Sequence, residues 1–282
     1  MTTVVRHASP TGFLARAESW LLRAEDQHNV LLGLAYVKAV EPSPDDDVFY
    51  ATVEQGGAVV GAAIRTPPRK VMITELPPDA GRPLAAALAE VYDRIPGILG
   101  SATSATLLAE AWAELRSCSW RPGLKQRLYR LGRVVPPPIV PGRLRAAEEA
   151  DIDLAVEWGV AFARDAGAQF VTDRASVTRW VASGALHLWD VDGVPMSIAV
   201  AQGRTPRGGR IGYVYTPREQ RGQGYASACV AALCQKLLDG GLEFCVLYTD
   251  LSNPTSNELY QRLGFVPLAD VRDVDILDEA DT

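Results

Sequence analysis

The stretch GRVVPPPIVPGR, residues 132–143, limits the fold of this chain more than any other. Four prolines among branched residues cannot continue a helix and favour an extended, exposed connection. The stretch divides 282 residues nearly in half, and similar elements are expected on either side. Before it, a helical opening over 13–39, broken near Gly33, leads to the apolar segments DVFYATVE and AVVGAAIRT, joined through Gly56 and Gly57 as a hairpin. KVMITEL, a helix over 82–94, a short segment near Ile95, a helix over 104–116 and a strand LKQRLYRLG follow. After it come a strand RLRAAEE, helices over 151–164 and 174–183, and a hairpin of ALHLWDV and PMSIAVAQG turning at Asp192 and Gly193. Strand RIGYVYT, helix 224–238, strand EFCVLYT, helix 254–263 and strand FVPLADVRD complete it. Both halves read as helices, an antiparallel meander, then β-α-β-α-β, an internal repeat of elements.

The net charge of −6 gives no general basic field, so neither nucleic acid nor an anionic membrane surface is expected as a partner. No run of about 18 apolar residues is present to span a bilayer, and acidic residues stand where a signal peptide would be cleaved. A soluble, cytoplasmic protein is expected. Cys118, Cys229, Cys234 and Cys245 show no CxxC spacing and read as buried free thiols, and His7, His28 and His187 are scattered, so no metal is expected.

In VYTPREQRGQGYASACVAAL, residues 214–233, a strand stopped by Pro217 passes through Gly222 and Gly224 into an Ala-rich helix. A helix start leaves N–H groups unpaired and carries partial positive charge, and glycine lets backbone approach an oxyanion closely. The spacing Arg221-x-x-Gly224-x-Ala226 resembles the Q/R-x-x-G-x-G/A signature of the GNAT superfamily, the acetyl-CoA-dependent N-acetyltransferases. Downstream, Asn253, Tyr260 and Gly264-Phe265 resemble that family's N-x(6)-Y-x-x-x-G-F segment.

The resemblance covers about 143–275 and implies an α/β (α+β) fold of two tandem GNAT-like domains, each a mixed, mainly antiparallel sheet flanked by helices. The expected boundaries are 1–133 for a degenerate N-terminal domain, 134–142 for the linker and 143–282 for the catalytic domain. It implies acetyl-CoA as co-substrate, its pyrophosphate on the amides of Arg221, Gly222, Gln223, Gly224, Tyr225 and Ala226. Val214 and Thr216 would face the pantetheine, and the N–H of Val214 or Tyr215 would receive the thioester carbonyl oxygen. Tyr260 would protonate the leaving thiolate, while Asn253 reads equally as a helix cap and as a cofactor contact.

The acceptor would be a primary amine of a small molecule or peptide. Its deprotonation could run through water to Asp190 or Asp250, or the amine could arrive neutral. Two other readings stay open: a silent acyl-CoA-binding regulatory module and an aminoacyl-tRNA-dependent transferase. Overlaying Pro77 on Pro217 sets Pro83 at Gln223 and Leu84 at Gly224, which removes a donor and adds a Cβ. The first half is therefore expected to have lost the cofactor, and to cover a sheet edge, shape the acceptor pocket or form a homodimer.

Overall fold

A computed structural model describes residues 1–40, 47–166 and 172–277. The chain forms two compact units, one of residues 1–128, 249–252 and 268–282, the other of residues 129–248 and 253–267.

Unit 1 opens with β1 (Thr2–His7), α1 (Pro10–Leu21), α2 (Asn29–Val40), β2 (Phe49–Gln55), β3 (Ala58–Arg65) and β4 (Val71–Ile73). It continues with α3 (Gly81–Ala89), β5 (Gly97–Ser101), α4 (Ala102–Arg116) and most of β6 (Ser119–Leu131). Pro10 starts α1 with no N–H to waste, and the Ser9 hydroxyl accepts the Gly12 N–H at 3.1 Å. The expected break near Gly33 lies earlier. The helix α1 stops at Leu21, and a 3₁₀ turn over Leu22–Ala24 leads into the polar run Glu25 to His28, where the Asp26 carboxylate takes the Gln27 N–H and the Asp26 carbonyl takes the Asn29 side-chain amide, so local bonds outcompete the helix.

Unit 2 holds β7 (Arg143–Ala146), α5 (Ile152–Ala166), α6 (Arg174–Ala182), β8 (Leu186–Val191), β9 (Val194–Arg204) and β10 (Gly208–Tyr215). Then come α7 (Tyr225–Asp239), β11 (Phe244–Asp250, its last two residues in unit 1), α8 (Pro254–Arg262) and β12 (Val266–Leu277), which begins in unit 2 and continues in unit 1. The strands β11-β10-β9-β8-β7 lie side by side, β10 and β11 parallel and the rest antiparallel. One apolar cluster sits under α5 and α6, with Trp158, Val177, Leu188 and Tyr213. The other joins α7 and α8 through Leu233, Leu247, Tyr260 and Phe265.

Contiguous domains 1–133 and 143–282 were expected, and the compact units differ from them in that unit 1 also takes the later part of β12. Residues 271–275 pair antiparallel with β5, completing the order β1-β2-β3-β4-β5-β12 in unit 1. Lys70 bonds both Asp273 and Asp275 at 2.6 Å, and Gly97 has backbone of Val274 where a Cβ would stand. The proline-rich stretch is mostly exposed, as expected, and is tied to unit 2 at two points. Val135 N–H bonds the Leu263 carbonyl at 2.9 Å, and the Trp189 indole donates to the Pro141 carbonyl at 2.8 Å.

Candidate functional site

The end of β10 is shaped by one residue in an unusual conformation. β10 and β11 share a parallel ladder only from Gly208 to Arg210, where Gly208 leaves room for the Phe244 ring. On the other side β10 pairs with β9 at Gly212–Val200 and next at Tyr215–Ile198, so Tyr213 and Val214 oppose Ala199 alone. Tyr213 has φ 52°, left-handed backbone that costs a side-chain-bearing residue about 1–2 kcal/mol. This bulge reverses the facing of the strand. Ile211 packs in the α7–α8 cluster, whereas Tyr213, two residues on, packs in the α5–α6 cluster.

Burial of the Tyr213 ring offsets the strain. Its ring lies against Phe162 and Trp180, its hydroxyl donates to the Ala155 carbonyl at 2.6 Å, and Gly159 leaves the space that the hydroxyl fills. Burial pushes this phenol up to about 12. Beyond Arg210, β10 continues for five residues without β11 beside it, and Val214 stands at the bulge.

The turn that follows is open and glycine-shaped. Gly222 and Gly224 have φ 78° and 88°, as the sequence required, and residues 221–224 are exposed. Gly224 caps α7 without any side-chain bond, and the Ala228 N–H is the one that reaches its carbonyl, at 3.0 Å. The amides of Tyr225 and Ala226 therefore have no carbonyl one turn earlier in the helix to bond. A Cβ on Gly224 would stand 3.0 Å from Val140 of the proline-rich stretch. A bare helix start with two left-handed glycines suits an oxyanion such as a pyrophosphate.

Arg221 is not aimed outward. Its Nε donates to the Thr216 carbonyl at 2.9 Å, its Nη2 to Asp165 at 2.6 Å, and it lies over the Tyr215 ring. Arg218 meets the other oxygen of Asp165, also at 2.6 Å. Arg218 and then Arg221 hold the Asp165 carboxyl down to about 2. Gln223 donates within the turn to the Glu219 carbonyl at 3.3 Å. The side chain of Thr216 also turns inward, donating to the buried Ser197 hydroxyl at 2.9 Å, and that hydroxyl donates to the Tyr215 carbonyl.

Tyr260, on α8, is 8% exposed and packs edge-on against Phe265. Burial, and then the nearby Cys234, raises its phenol well above the ordinary value, so it stays protonated. Asn253 caps α8, accepting the Ser256 N–H at 3.1 Å, ahead of Pro254 at the first helical position. Asp190 is occupied structurally: Arg145 donates to it at 2.9 Å, the Gly193 N–H at 2.8 Å, and Arg145 also holds Asp151. Chiefly through Arg145, its carboxyl lies below the usual range. Asp250 falls in unit 1, where it accepts the Ser252 N–H.

Cys229, Cys234 and Cys245 are buried, and burial pushes the Cys229 thiol up to about 12. Among the described residues no group of His, Cys, Asp and Glu could hold a metal ion, and no helix is long and apolar enough to cross a membrane. Sequence reading missed Asp165, Ser197, Gly159 and Val140, none of which lies in a recognisable pattern; each matters through a partner distant in the chain.

Residues 153–265 match the model of the acetyltransferase (GNAT) family. No protein of curated function matches the sequence. A Drosophila protein superposes over the whole of both chains with a TM-score of 0.69 at 12% identity. A GCN5-related N-acetyltransferase from Sphaerobacter thermophilus gives 0.62 at 16% identity, over 97% of this chain and 95% of its own. A tandem GNAT protein from the clavulanic acid biosynthesis pathway gives 0.55 at 16% identity, over 98% of each. At such identities the likeness speaks for the fold. Residues 153–265, about two fifths of the chain, are thus similar to the GNAT acetyltransferase family, and the whole chain has a fold like that of tandem GNAT proteins.

Proposed function

We propose that unit 2 is an N-acetyltransferase that transfers an acetyl group from acetyl-CoA to a primary amine of a small molecule or peptide by direct attack. The observation that carries this reading is the sequence of features along one stretch: β10 leaves β11 after Arg210, bulges at Tyr213 and Val214, ends at Tyr215, and is followed through the turn 218–220 by the bare glycine start of α7. Acetyl-CoA supplies an activated thioester carbonyl and a thiol leaving group. The amides from Gly222 to Ala226 suit its pyrophosphate. The Val214 N–H, at the bulge, is our donor to the thioester oxygen as charge develops there. Tyr215 is the weaker choice because it resumes the ladder opposite Ile198.

Tyr260 is our general acid. An apolar pocket keeps its proton on, which suits delivery to a thiolate. The contacts of Asp190 with Arg145 and Gly193 argue against it as base, and our reading has the amine arriving neutral or losing its proton to water. Thr216 and Asn253 contribute through fold, the first by holding Ser197 and the second by capping α8.

The test is a thiol-release assay with acetyl-CoA and a panel of amines, alongside calorimetric titration of CoA. Turnover on at least one amine, with Tyr260→Phe lowering kcat about 100-fold and leaving CoA affinity within about twofold, supports the reading. CoA binding without turnover would identify a silent acyl-CoA module. Absence of CoA binding would favour an aminoacyl-tRNA-dependent transferase.

A further inference from the structure

Two points that matter to the proposed cofactor site are fastened to one helix. Near the start of α5, the Ala155 carbonyl receives the hydroxyl of Tyr213, the residue that makes the bulge beside Val214. At its end, Asp165 receives Arg218 on one oxygen and Arg221 on the other, both at 2.6 Å. Ten residues of helix separate the anchors, about 15 Å at 1.5 Å per residue. Arg218 opens and Arg221 follows the short turn 218–220 that leads to Gly222.

The placement of Asp165 is unusual for an ordinary surface ion pair. It lies in the last turn of α5, where the helix dipole disfavours an anion, and its side chain is only 12% exposed. Two guanidinium groups make that position acceptable. Arg221 is further fixed by the Thr216 carbonyl and the Tyr215 ring, so it braces the turn against the strand end.

We propose that Asp165 is a positioning residue: by clamping Arg218 and Arg221 to α5, it holds the glycine turn at a fixed distance from the Val214 bulge, so that both ends of one acyl-CoA are bound together. The inference rests on the reading of unit 2 as a CoA-dependent enzyme. It concerns the turn alone, so a thioester without pyrophosphate should not sense it.

The experiment compares wild type, Asp165→Asn and Arg218→Gln with two donors, acetyl-CoA and acetyl-pantetheine, which lacks the pyrophosphate and adenosine. Asp165→Asn is expected to raise KM for acetyl-CoA, and the Kd of CoA, about tenfold. Its kcat/KM with acetyl-pantetheine should stay within about twofold, with Arg218→Gln showing a smaller change in the same direction. Amide hydrogen exchange over 218–224 should quicken in Asp165→Asn while the strands of unit 2 keep their protection. Equal losses with both donors would reduce Asp165 to a stability role and overturn the proposal. Tighter CoA binding in Asp165→Asn would show competition for the arginines and overturn it too. Unchanged CoA affinity would overturn the positioning role alone, whereas a wild type that binds no CoA would overturn the reading of unit 2 as well.

Discussion

The turns after β4 and β10 occupy equivalent places in the two units, and they use glycine for opposite purposes. In unit 2, Gly222 and Gly224 are exposed, adopt positive φ, and leave the start of α7 uncapped. In unit 1, Gly81 is buried at the start of α3, where a Cβ would stand 2.9 Å from the Leu107 carbonyl of α4. There glycine serves close helix packing. The strands differ in the same sense. β10 runs five residues past its last pair with β11, whereas β4 ends at Ile73, one residue past its last pair with β5. At Gly100 of β5 a Cβ would meet Ile73 at 2.5 Å, so side-chain packing fills the place where the strands could part. The lesson is that Pro83 and Leu84 are not the whole difference. Restoring glycine there would still leave the gap between β4 and β5 filled.

The largest effect expected from breaking this contrast is at Gly224. Gly224→Val forces a β-branched residue to φ 88° and against Val140. CoA affinity measured by calorimetry should fall about 100-fold, the equivalent of about 2.7 kcal/mol. The counterpart Gly81→Ala should cost unit 1 about 1–3 kcal/mol in denaturant unfolding through overpacking against Leu107, with CoA affinity unchanged. An effect of Gly81→Ala on CoA affinity would break the comparison.

The smallest effect sharpens it through pH. Asp165 has a folded pKa of about 2, below the ordinary value near 3.9. A lowered carboxyl contributes stability that is present above the unfolded value and disappears as pH falls through the folded one. Thermal melting should therefore show a decline between pH 4 and pH 2 that is shallower in Asp165→Asn. In the unit 1 turn Asp79 is held by the Thr2 hydroxyl instead of by arginines, and Gly81→Ala should leave the Asp165-dependent slope intact.

The glycine turn was legible because backbone conformation there depends on residue type: positive φ at 222 and 224 and a helix starting at Tyr225 follow from Gly-Gln-Gly-Tyr. Asn253 and Pro254 announced α8 for a similar local reason. β1 was missed because six residues at the start, TTVVRH, alternate too weakly to separate strand from lead-in until β2 pairs with them. The Tyr213 bulge left no mark, since its cause lies at Gly159 and Ala155, some 55 residues earlier. β12 was recognised as a strand but its neighbour was not. Asp273 and Asp275 share one face, and their partners Lys70 and Arg121, about 150 to 200 residues away, reveal which sheet they join.

That last pairing sets a timetable for biosynthesis. Residues 268–277 leave the ribosome after all of unit 2, yet β5 needs them to cover its second edge. At roughly 5–20 residues per second, the wait is on the order of ten seconds. Through that interval β5 carries an open row of backbone donors and acceptors, the kind of edge that pairs with foreign strands. That edge stays uncovered until its own distant strand arrives, and the yield of soluble protein should depend on how fast the second half is translated.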